Sequence, residues 1–591
     1  MFRGVLYNQY RLFVFERWQR LVRNYYLKLR NGNSIQTRWA LKRSFARTLR
    51  PRTALLSATF LILGILSVLV VRRQVMAGPE VSFKGVLTYH NNNLRTGWNS
   101  NETALTLKSV NSTTFGKLFV IPADGLVDAE PLYAPAISIP GNGTHNVLFV
   151  ATEHDSVYGF DADSGTPLWH ASMLGTGETT SDRRGCGQVS PEIGVTSTPV
   201  IDLTAGPHGT IYAVAMSKDS SGNYHQRLHA LDITTGAEEF GGPKEIQAQY
   251  PGTGDNSQNG FVIFDPKQYK ERAGLLLLNH FVYTSWASHC DDRPYTGWIM
   301  SYNETTLAQQ SVLNVTPNGS EGAIWAAGAG LAADSNTKGN IFFLDANGTF
   351  DTTLDGNGFP VNGDYGNAIL KLSTKKGKLA VADYFNMYNT VSESDADEDL
   401  GSGGAMVVPN FKDANGTLHE LVVGAGKDRN IYLADRTNMG KFNPNNNSQL
   451  YQELSGALSG SVFSAPAFAE HKIYYGAVGD SIKAFAFNAS GQLNSTLASA
   501  TSTRFGYPGA TPSISGSSVR NSILWATENT SPAVLHAYSA NDLSVELYNS
   551  NQASGGRDQF GSGNKYIAPM IANGKVYVGT TNGVGVFGLL P

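Results

Sequence analysis

Short apolar runs alternate with turns along most of the chain, and one order of elements recurs eight times between Ala134 and Leu589. Each copy has an apolar run, a turn, a second apolar run, an aspartate or asparagine, and a closing turn. The clearest copies are VLFVATEHDSVYGFDADSGTPLW (147–169), LVVGAGKDRNIYLADRTNMG (421–440), KIYYGAVGDSIKAFAFNASG (472–491) and KVYVGTTNGVGVFGLL (575–590). A repeat of roughly 40 to 70 residues made of short strands is typical of small antiparallel sheets closed into a ring. We therefore predict an all-β fold, an eight-bladed β-propeller.

The predicted strand pairs place the eight blades at 126–172, 194–245, 272–315, 322–385, 403–455, 462–498, 509–548 and 567–590. The last unit has no outer strand of its own. Residues 116–122 (GKLFVIP) form an apolar strand ahead of the first blade, and we predict that they complete the eighth sheet and close the ring. Segments 173–193 and 246–270 lack strand periodicity and are interpreted as long loops on one face, where ligands usually bind.

The charge is divided unevenly along the chain. Residues 1–52 hold 13 Lys and Arg against one acid, Glu16, whereas the remainder holds 32 basic and 47 acidic residues. A phosphate-binding surface needs a positive charge, so we expect no nucleic-acid binding by the large domain. Apolar residues and arginines alternate over 5–30, as in an amphipathic helix on an anionic membrane surface or in a basic tail that only orients an anchor.

Residues 53–71 (TALLSATFLILGILSVLVV) carry no charge and are long enough, at about 1.5 Å per residue, to cross a bilayer core of roughly 30 Å. We predict a cytosolic tail over 1–52, a single transmembrane helix over 53–71, a linker over 72–88 and the propeller over 89–591. The positive charge ahead of the helix predicts that the propeller is extracellular, lumenal or periplasmic. A cleaved signal peptide and an organellar presequence are the rival interpretations of this region.

The part after the predicted helix is rich in glycosylation sequons, which predicts a glycoprotein if the host is a eukaryote. The twelve asparagines are 101, 111, 142, 303, 314, 318, 347, 415, 446, 488, 494 and 529. The same part holds both cysteines of the chain, Cys186 and Cys290. An oxidising compartment favours a disulfide between them, and two free thiols or a partial metal site with His289 are the alternatives.

The repeat resembles the pyrroloquinoline quinone (PQQ) repeat, in which VYVGT-like and LYALD-like strands precede a TG turn and a closing Trp. Further segments are similar, in the same order, to quinoprotein alcohol dehydrogenases, and the resemblance covers about 82–591. They are YHNNNLRTGWNSNETALTLKSVNSTTFGKLF (89–119), GAIWAAGAGLAADSNTKGNIFFLDANGTFD (322–351), DADEDLGSGGAMVV (395–408) and LVVGAGKDRNIYLADRTNMGK (421–441). The resemblance implies a PQQ-type propeller that oxidises an alcohol or sugar hydroxyl.

The resemblance also implies a site. Trp325 lies where the family stacks an aromatic ring on PQQ, and Lys427 matches the cation that polarises the quinone carbonyl. Asn347 matches a position that binds the quinone and a Ca²⁺ ion, and Asp399 matches a Ca²⁺ ligand that would also be the general base. Asp292 is the third implied Ca²⁺ ligand and lies where the family has Glu. Each residue also has an ordinary interpretation, such as a core aromatic for Trp325, a turn for Asn347 and a solvated acidic loop for Asp399.

Two departures from the family leave a second function open. No adjacent Cys-Cys pair is present, and no CxxCH motif exists for a covalent haem, so electrons would pass to an external acceptor. The alternative is a non-catalytic propeller that uses the loops 173–193 and 246–270 to hold a protein or glycan. The sequence thus predicts a membrane-anchored quinoprotein-like propeller, either a PQQ-dependent dehydrogenase or a binding module.

Overall fold

The computed structural model describes residues 83, 85–334 and 338–591, which belong to one compact unit, Phe83–Pro591. The predicted tail 1–52 and transmembrane span 53–71 lie outside the described residues. Within the described ranges, no helix combines the length and the apolar character needed to cross a bilayer.

Eight sheets, each built on four antiparallel strands, are present in the described residues, and some of them carry additional short strands. Sheet 1 contains Leu132–Ile139, Gly143–Thr152, Ser156–Asp161 and Pro167–Ser172. Sheet 2 contains Val200–Asp202, Thr210–Lys218, Tyr224–Asp232 and Lys244–Glu245. Sheet 3 contains Leu276–Leu278, Phe281–Ala287, Trp298–Asn303 and Gln309–Asn314, and sheet 4 contains Ala332–Ala333, Asn340–Leu344, Ala368–Ser373 and Ala380–Asn386.

The second half of the chain repeats this arrangement. Sheet 5 contains Met406–Val407, Leu421–Ala425, Ile431–Asp435 and Gln452–Leu454. Sheet 6 contains Ala467–Ala469, Lys472–Gly476, Asp480–Ala486 and Ser499–Phe505. Sheet 7 contains Ser513–Ser515, Ile523–Glu528, Val534–Ser539 and Glu546–Asn549, and sheet 8 contains Met570–Ala572, Lys575–Thr580, Gly583–Leu589 and Phe115–Pro122.

The remaining elements are short. The additional strands are Trp98–Asn99, Thr179–Asp182, Glu192–Ile193, Gln249–Pro251, Ser257–Gln258, Phe261–Ile263, Lys270–Glu271, Phe411–Lys412, Leu418–His419 and Lys441–Phe442. The described residues contain one α-helix, Thr390–Asp395. Single 3₁₀ turns cover Tyr89–Asn91, Ala326–Gly328, Lys375–Gly377, Leu400–Ser402, Val519–Asn521 and Ser554–Gly556.

The predicted closing strand is confirmed. Phe115–Pro122 pairs antiparallel with Gly583–Leu589, which places the beginning of the described chain beside its end in sheet 8. Sheet 8 therefore obtains its outer strand from the N-terminal side, and this pairing covers an edge that would otherwise be exposed.

Each sheet packs against the next through its own apolar cluster, because the inner strands are buried on both faces and consist of nearly continuous apolar runs. Sheets 1 and 2 share one apolar cluster, and sheets 2 and 3 share the next. The same holds for every further pair of neighbouring sheets up to sheets 7 and 8. Sheets 8 and 1 also share a cluster, in which Tyr577 and Val584 accompany Tyr133 and Leu148. The series of sheets therefore closes on itself.

The segment 86–99 contacts all eight sheets in turn. The backbone of Val86 and Leu87 pairs with sheet 1 and with Ile201 at sheet 2, and the carbonyls of Asn93, Leu94, Thr96 and Gly97 accept N–H groups from sheets 4, 5, 6 and 7. The amide of Asn93 reaches the Leu277 carbonyl of sheet 3, and that of Asn99 reaches the Ile571 carbonyl of sheet 8. This segment therefore links the innermost strands of the ring.

Arg95 is the cation of that segment, and it is fully buried. Its guanidinium donates to the hydroxyl of Thr88 and to the carbonyls of Tyr89, Leu275 and Leu331 at 2.7–3.2 Å. A buried cation is tolerated when neighbouring acceptors satisfy its donors, and carbonyls do so here.

The interpretation of 173–193 and 246–270 as loops without strands was wrong in part. Thr179–Asp182 extends sheet 2 by pairing with Ser217 and Lys218, and Glu192–Ile193 pairs with it in turn. Gln249–Pro251, Ser257–Gln258 and Phe261–Ile263 form a separate three-stranded sheet. Strands of two to four residues are too short to show an alternating pattern, so periodicity did not indicate them.

Candidate active site

Trp325 stands at the start of a tight turn. The two following residues, Ala326 and Ala327, both adopt left-handed conformations with φ of 43° and 47°. Such conformations are unfavourable for residues other than glycine and are found where neighbouring structure imposes them. The turn leaves the Trp325 ring partly exposed, 5.9 Å from the Phe463 ring and 6.2 Å from the Tyr566 ring, measured between centroids.

Asp399 lies in a glycine-rich turn that packs closely on its neighbours. A Cβ on Gly401 would lie 2.4 Å from the backbone nitrogen of Ala346, and one on Gly426 would lie 2.5 Å from the carbonyl oxygen of Asp399. These close approaches require glycine at both positions. They bring the Asp399 turn, the end of a sheet 4 strand and the end of a sheet 5 strand together, and Asp399 is 3% exposed.

Lys427 follows the sheet 5 strand Leu421–Ala425 and forms two ion pairs. Its Nζ lies 2.7 Å from Oδ2 of Asp399 and 2.6 Å from Oδ1 of Asp397. The backbone N–H of Lys427 also donates to the carbonyl of Asp399 at 2.9 Å. Asp399 is buried whereas the side chain of Asp397 is 69% exposed, so the two carboxylates differ in their contact with solvent.

The pKa values of the inner pair reflect burial and mutual attraction. Burial raises the pKa of Asp399 above its usual value, and the Lys427 charge opposes this rise. Burial by itself would lower the pKa of Lys427, but the carboxylates of Asp399 and Asp397 outweigh it and raise that pKa. Asp399 is thus a carboxylate with increased basicity beside a permanent cation, an arrangement that suits a general base.

These residues line one cavity of about 260 Å³. Small-molecule sites usually measure about 300–1,000 Å³, so this cavity has the size of a small site. Its wall combines aromatic rings with cations and carboxylates. The lining residues are Gln188, Lys270, Arg272, Ala287, Ser288, Cys290, Asp291, Trp325, Asp397, Asp399, Lys427, Phe463, Tyr507 and Tyr566.

Asn347 lies next to this group. Its backbone N–H lies 3.4 Å from Oδ1 of Asp399, and its Nδ2 donates to Oδ1 of Asp397 at 2.9 Å. Its own Oδ1 is buried, and the part of the chain that the structure describes provides no hydrogen-bond partner for it. The side chain is 9% exposed, and the engagement of its Nδ2 conflicts with the attachment of a glycan at this sequon.

The structure does not bring Asp292 into the group. Asp292 is exposed, and its contacts are through the backbone, whose N–H donates to the His289 carbonyl at 3.1 Å. The preceding carboxylate, Asp291, lines the cavity instead and accepts hydrogen bonds from Ser288 and Tyr295. Among the described residues, no three His, Cys, Asp or Glu side chains are grouped to hold a metal ion.

Cys186 and Cys290 form the favoured disulfide, and the two alternatives are thereby excluded in this structure. The bond joins residues 104 positions apart, and Cys290 contributes to the cavity wall. His289 is buried beside it.

Several lining residues were not indicated by the sequence. Lys270 and Arg272 are 4% exposed, and the ring of Tyr566 lies 4.7 Å from the Arg272 guanidinium carbon. The hydroxyls of Tyr507 and Tyr566 are 3.0 Å apart. The sequence could have indicated only Lys270 and Arg272 among them. These two residues precede an apolar strand at a spacing of two, which places both side chains on one face of the extended segment.

No protein-family model and no curated protein matches this chain. Solved structures with a similar fold do exist. A quinohaemoprotein alcohol dehydrogenase from Comamonas testosteroni is 12% identical over 85% of this chain and 80% of its own, with a TM-score of 0.56. One from Pseudomonas putida is 12% identical over 86% and 80%, with a TM-score of 0.55. A europium-containing methanol dehydrogenase is 11% identical over 86% and 99%, with a TM-score of 0.54.

Proposed function

The chain has the all-β propeller fold of quinoprotein alcohol dehydrogenases, and we propose that it is a PQQ-dependent dehydrogenase that oxidises an alcohol or sugar hydroxyl. One observation carries the proposal. Trp325, Asp399 and Lys427 belong to three separate segments and line the same cavity. We also propose that the eight sheets are the eight blades of the propeller, which the closed series of apolar clusters supports.

The cavity suits a flat, anionic ligand. Trp325, Phe463 and Tyr566 form an aromatic wall in which neighbouring ring centroids are 5.9–6.4 Å apart. Arg272 supplies buried positive charge on the cavity wall, and the buried amine of Lys270 adds to it when protonated. A planar quinone with carboxylate groups can therefore place its ring on an aromatic face and its charges near the cations.

The residues of the chain divide the reaction between them. Bound PQQ would supply the carbonyl group that accepts a hydride from the alcohol carbon. Asp399 takes the hydroxyl proton, because it is a buried carboxylate in the cavity wall and burial raises its pKa. Lys427 holds Asp399 in place at 2.7 Å and provides positive charge where negative charge develops.

Calcium has weaker support. Asn347 offers a buried oxygen without a partner, and Asp399 offers a carboxylate. Ca²⁺ takes 6–8 oxygen ligands in typical sites, so about two donors from the described residues do not form a site by themselves. No step is therefore assigned to calcium. The electrons taken from the alcohol pass to an external acceptor.

We expect Trp325→Ala to weaken PQQ binding by about tenfold, because an aromatic contact of about 1.4 kcal/mol is lost. Isothermal titration of PQQ into the purified full-length chain measures this change. Trp325→Phe, which keeps an aromatic face, should retain most of the affinity. Equal affinities for the wild type and the alanine variant would remove Trp325 from the binding site.

We propose that residues 53–71 anchor the protein in a membrane with the propeller outside the cytosol. The charge asymmetry of residues 1–52 and the disulfide Cys186–Cys290 support this orientation, since disulfides persist in oxidising compartments. Protease added to right-side-out vesicles should remove the propeller and leave a tagged N-terminal tail intact. Protection of the propeller in intact vesicles, with digestion after detergent is added, would contradict the orientation.

A further inference from the structure

Lys270 is a buried amine that the proposed oxidation does not need as a reacting group. It lies on the short strand Lys270–Glu271, which pairs with the sheet 3 strand Phe281–Ala287. The residue is 4% exposed, and it lines the cavity that Trp325 and Asp399 share. No salt bridge or hydrogen bond of its side chain is present within the described residues.

The surroundings leave this amine partly uncharged at neutral pH. Burial and the nearby Arg272 charge lower the pKa of Lys270 to about 7, although Glu153, Asp128 and Asp291 act in the opposite direction. An exposed lysine has a pKa near 10.4, so only about one amine in a few thousand is neutral at pH 7. A neutral lysine amine beside another cation is the arrangement that activates lysine as a nucleophile toward carbonyl groups.

Arg272 can bind an anionic group beside this amine. Among the described residues, its side chain makes one hydrogen bond, from Nη1 to Oδ2 of Asp128 at 3.4 Å, although a guanidinium has five N–H donors. Residues 270 and 272 share one face of the extended segment, and both line the cavity. In a ligand whose carboxylate is bonded to a carbonyl carbon, the carboxylate would lie near Arg272 and the carbonyl carbon would lie near Lys270.

We propose that Lys270 is a nucleophile that forms an imine with a 2-oxo acid, whose carboxylate is bound by Arg272. The amine lone pair attacks the carbonyl carbon, and the carbonyl oxygen takes up a proton. Loss of water from this adduct breaks the carbon–oxygen bond and leaves the carbon–nitrogen double bond, with no oxidant or reductant required. Asp291 lines the same cavity and its charge acts on Lys270, and we assign the proton transfers of these steps to it.

Reductive trapping tests this proposal. The purified full-length chain is incubated at pH 7 with pyruvate and cyanoborohydride, which reduces imines, and the labelled peptides are mapped by mass spectrometry. We expect Lys270 to carry one reduced pyruvyl group in at least about tenfold excess over any other lysine, because exposed amines are protonated at this pH. The experiment contains no quinone, so its outcome does not depend on PQQ binding.

Two variants and an internal control sharpen the result. Lys270→Arg keeps a positive charge and should abolish labelling at this position. Arg272→Gln should reduce labelling by pyruvate more than labelling by acetone, because loss of the Arg272 charge raises the pKa of Lys270 for both compounds and only pyruvate also loses its carboxylate contact. Lys565 is the internal control, because it contacts Gln188 and Tyr507 at the edge of the same cavity. Labelling of Lys565 equal to that of Lys270, or an unlabelled Lys270 in the wild type, would overturn the proposal, and both are read from wild-type protein.

Discussion

Asp399→Asn is expected to lower dye-linked alcohol oxidation by about 10² or more while PQQ remains bound, because the substitution removes the proton acceptor. Asparagine has nearly the shape of aspartate and can keep the hydrogen bond from the Asn347 backbone. Stacking on Trp325 does not involve this side chain. The measurement is kcat with a dye acceptor, together with a titration of PQQ into the same variant.

Asp397→Asn is the matched control for this variant. Asp397 binds the same Lys427 ammonium group at a similar distance, but its side chain is 69% exposed. An exposed carboxylate in a high-dielectric environment contributes little, so we expect a far smaller loss of activity. Equal losses in the two variants would show that the charge around Lys427 matters, and would refute the assignment of Asp399 as the base.

Lys427→Met is expected to lower kcat by about 10² and to move the acid limb of the pH profile to higher pH. The direction of this shift follows from the ion pair between Lys427 and Asp399. Burial raises the pKa of Asp399, and Lys427 opposes that rise, so removing the cation raises this pKa further. Asp399 acts as a base only when ionised, and activity is therefore lost at a higher pH as the pH falls.

Lys427→Arg separates the effect of losing the positive charge from the effect of changing the geometry of the side chain. It retains a permanent cation, so the acid limb should stay near its wild-type position even if the altered geometry lowers kcat. Lys427→Met also leaves the buried Asp399 without its partner, which is expected to reduce stability, and thermal unfolding of both variants monitors this loss. An unshifted acid limb in folded Lys427→Met would show that Asp399 is not the group that titrates.

The sequence predicted the strands of the eight sheets well, because each repeat carries the same apolar runs and turns. The strand 116–122 was predicted for the same reason, since an apolar strand was left unpaired ahead of the first sheet. The segment 86–99 was not predicted as the link between all the sheets. Its backbone bonds to several different sheets at irregular intervals, and such contacts produce no periodic pattern.

The candidate site was predicted in part, through the resemblance rather than through periodicity. Trp325, Asp399 and Lys427 came together as expected. Asp291 rather than its neighbour Asp292 lines the cavity, in a turn where Cys290 and Asp291 have φ of 52° and 56°. Local backbone conformation of this kind decides which of two adjacent carboxylates faces a cavity, and the residue types alone do not reveal it.

The buried cations Lys270 and Arg272 show a further limit of the sequence. Charged residues ahead of an apolar strand are usually exposed, but Lys270 and Arg272 are buried here, and Arg272 pairs with a carboxylate from a distant part of the chain. Asp128, which bonds Arg272, is separated from it by 144 positions. A pairing of charges between residues this far apart in the sequence can be recognised only in the folded structure.

The spectrum of the PQQ-loaded protein during anaerobic addition of an alcohol tests the central proposal most directly. PQQ is first titrated into the full-length chain at micromolar concentration, and ethanol or glucose is then added without an acceptor. We expect heat and a quinone absorbance shift on PQQ binding, followed by conversion to the quinol spectrum in the wild type but much more slowly in Asp399→Asn. No heat and no absorbance shift on addition of PQQ to the wild type would contradict it.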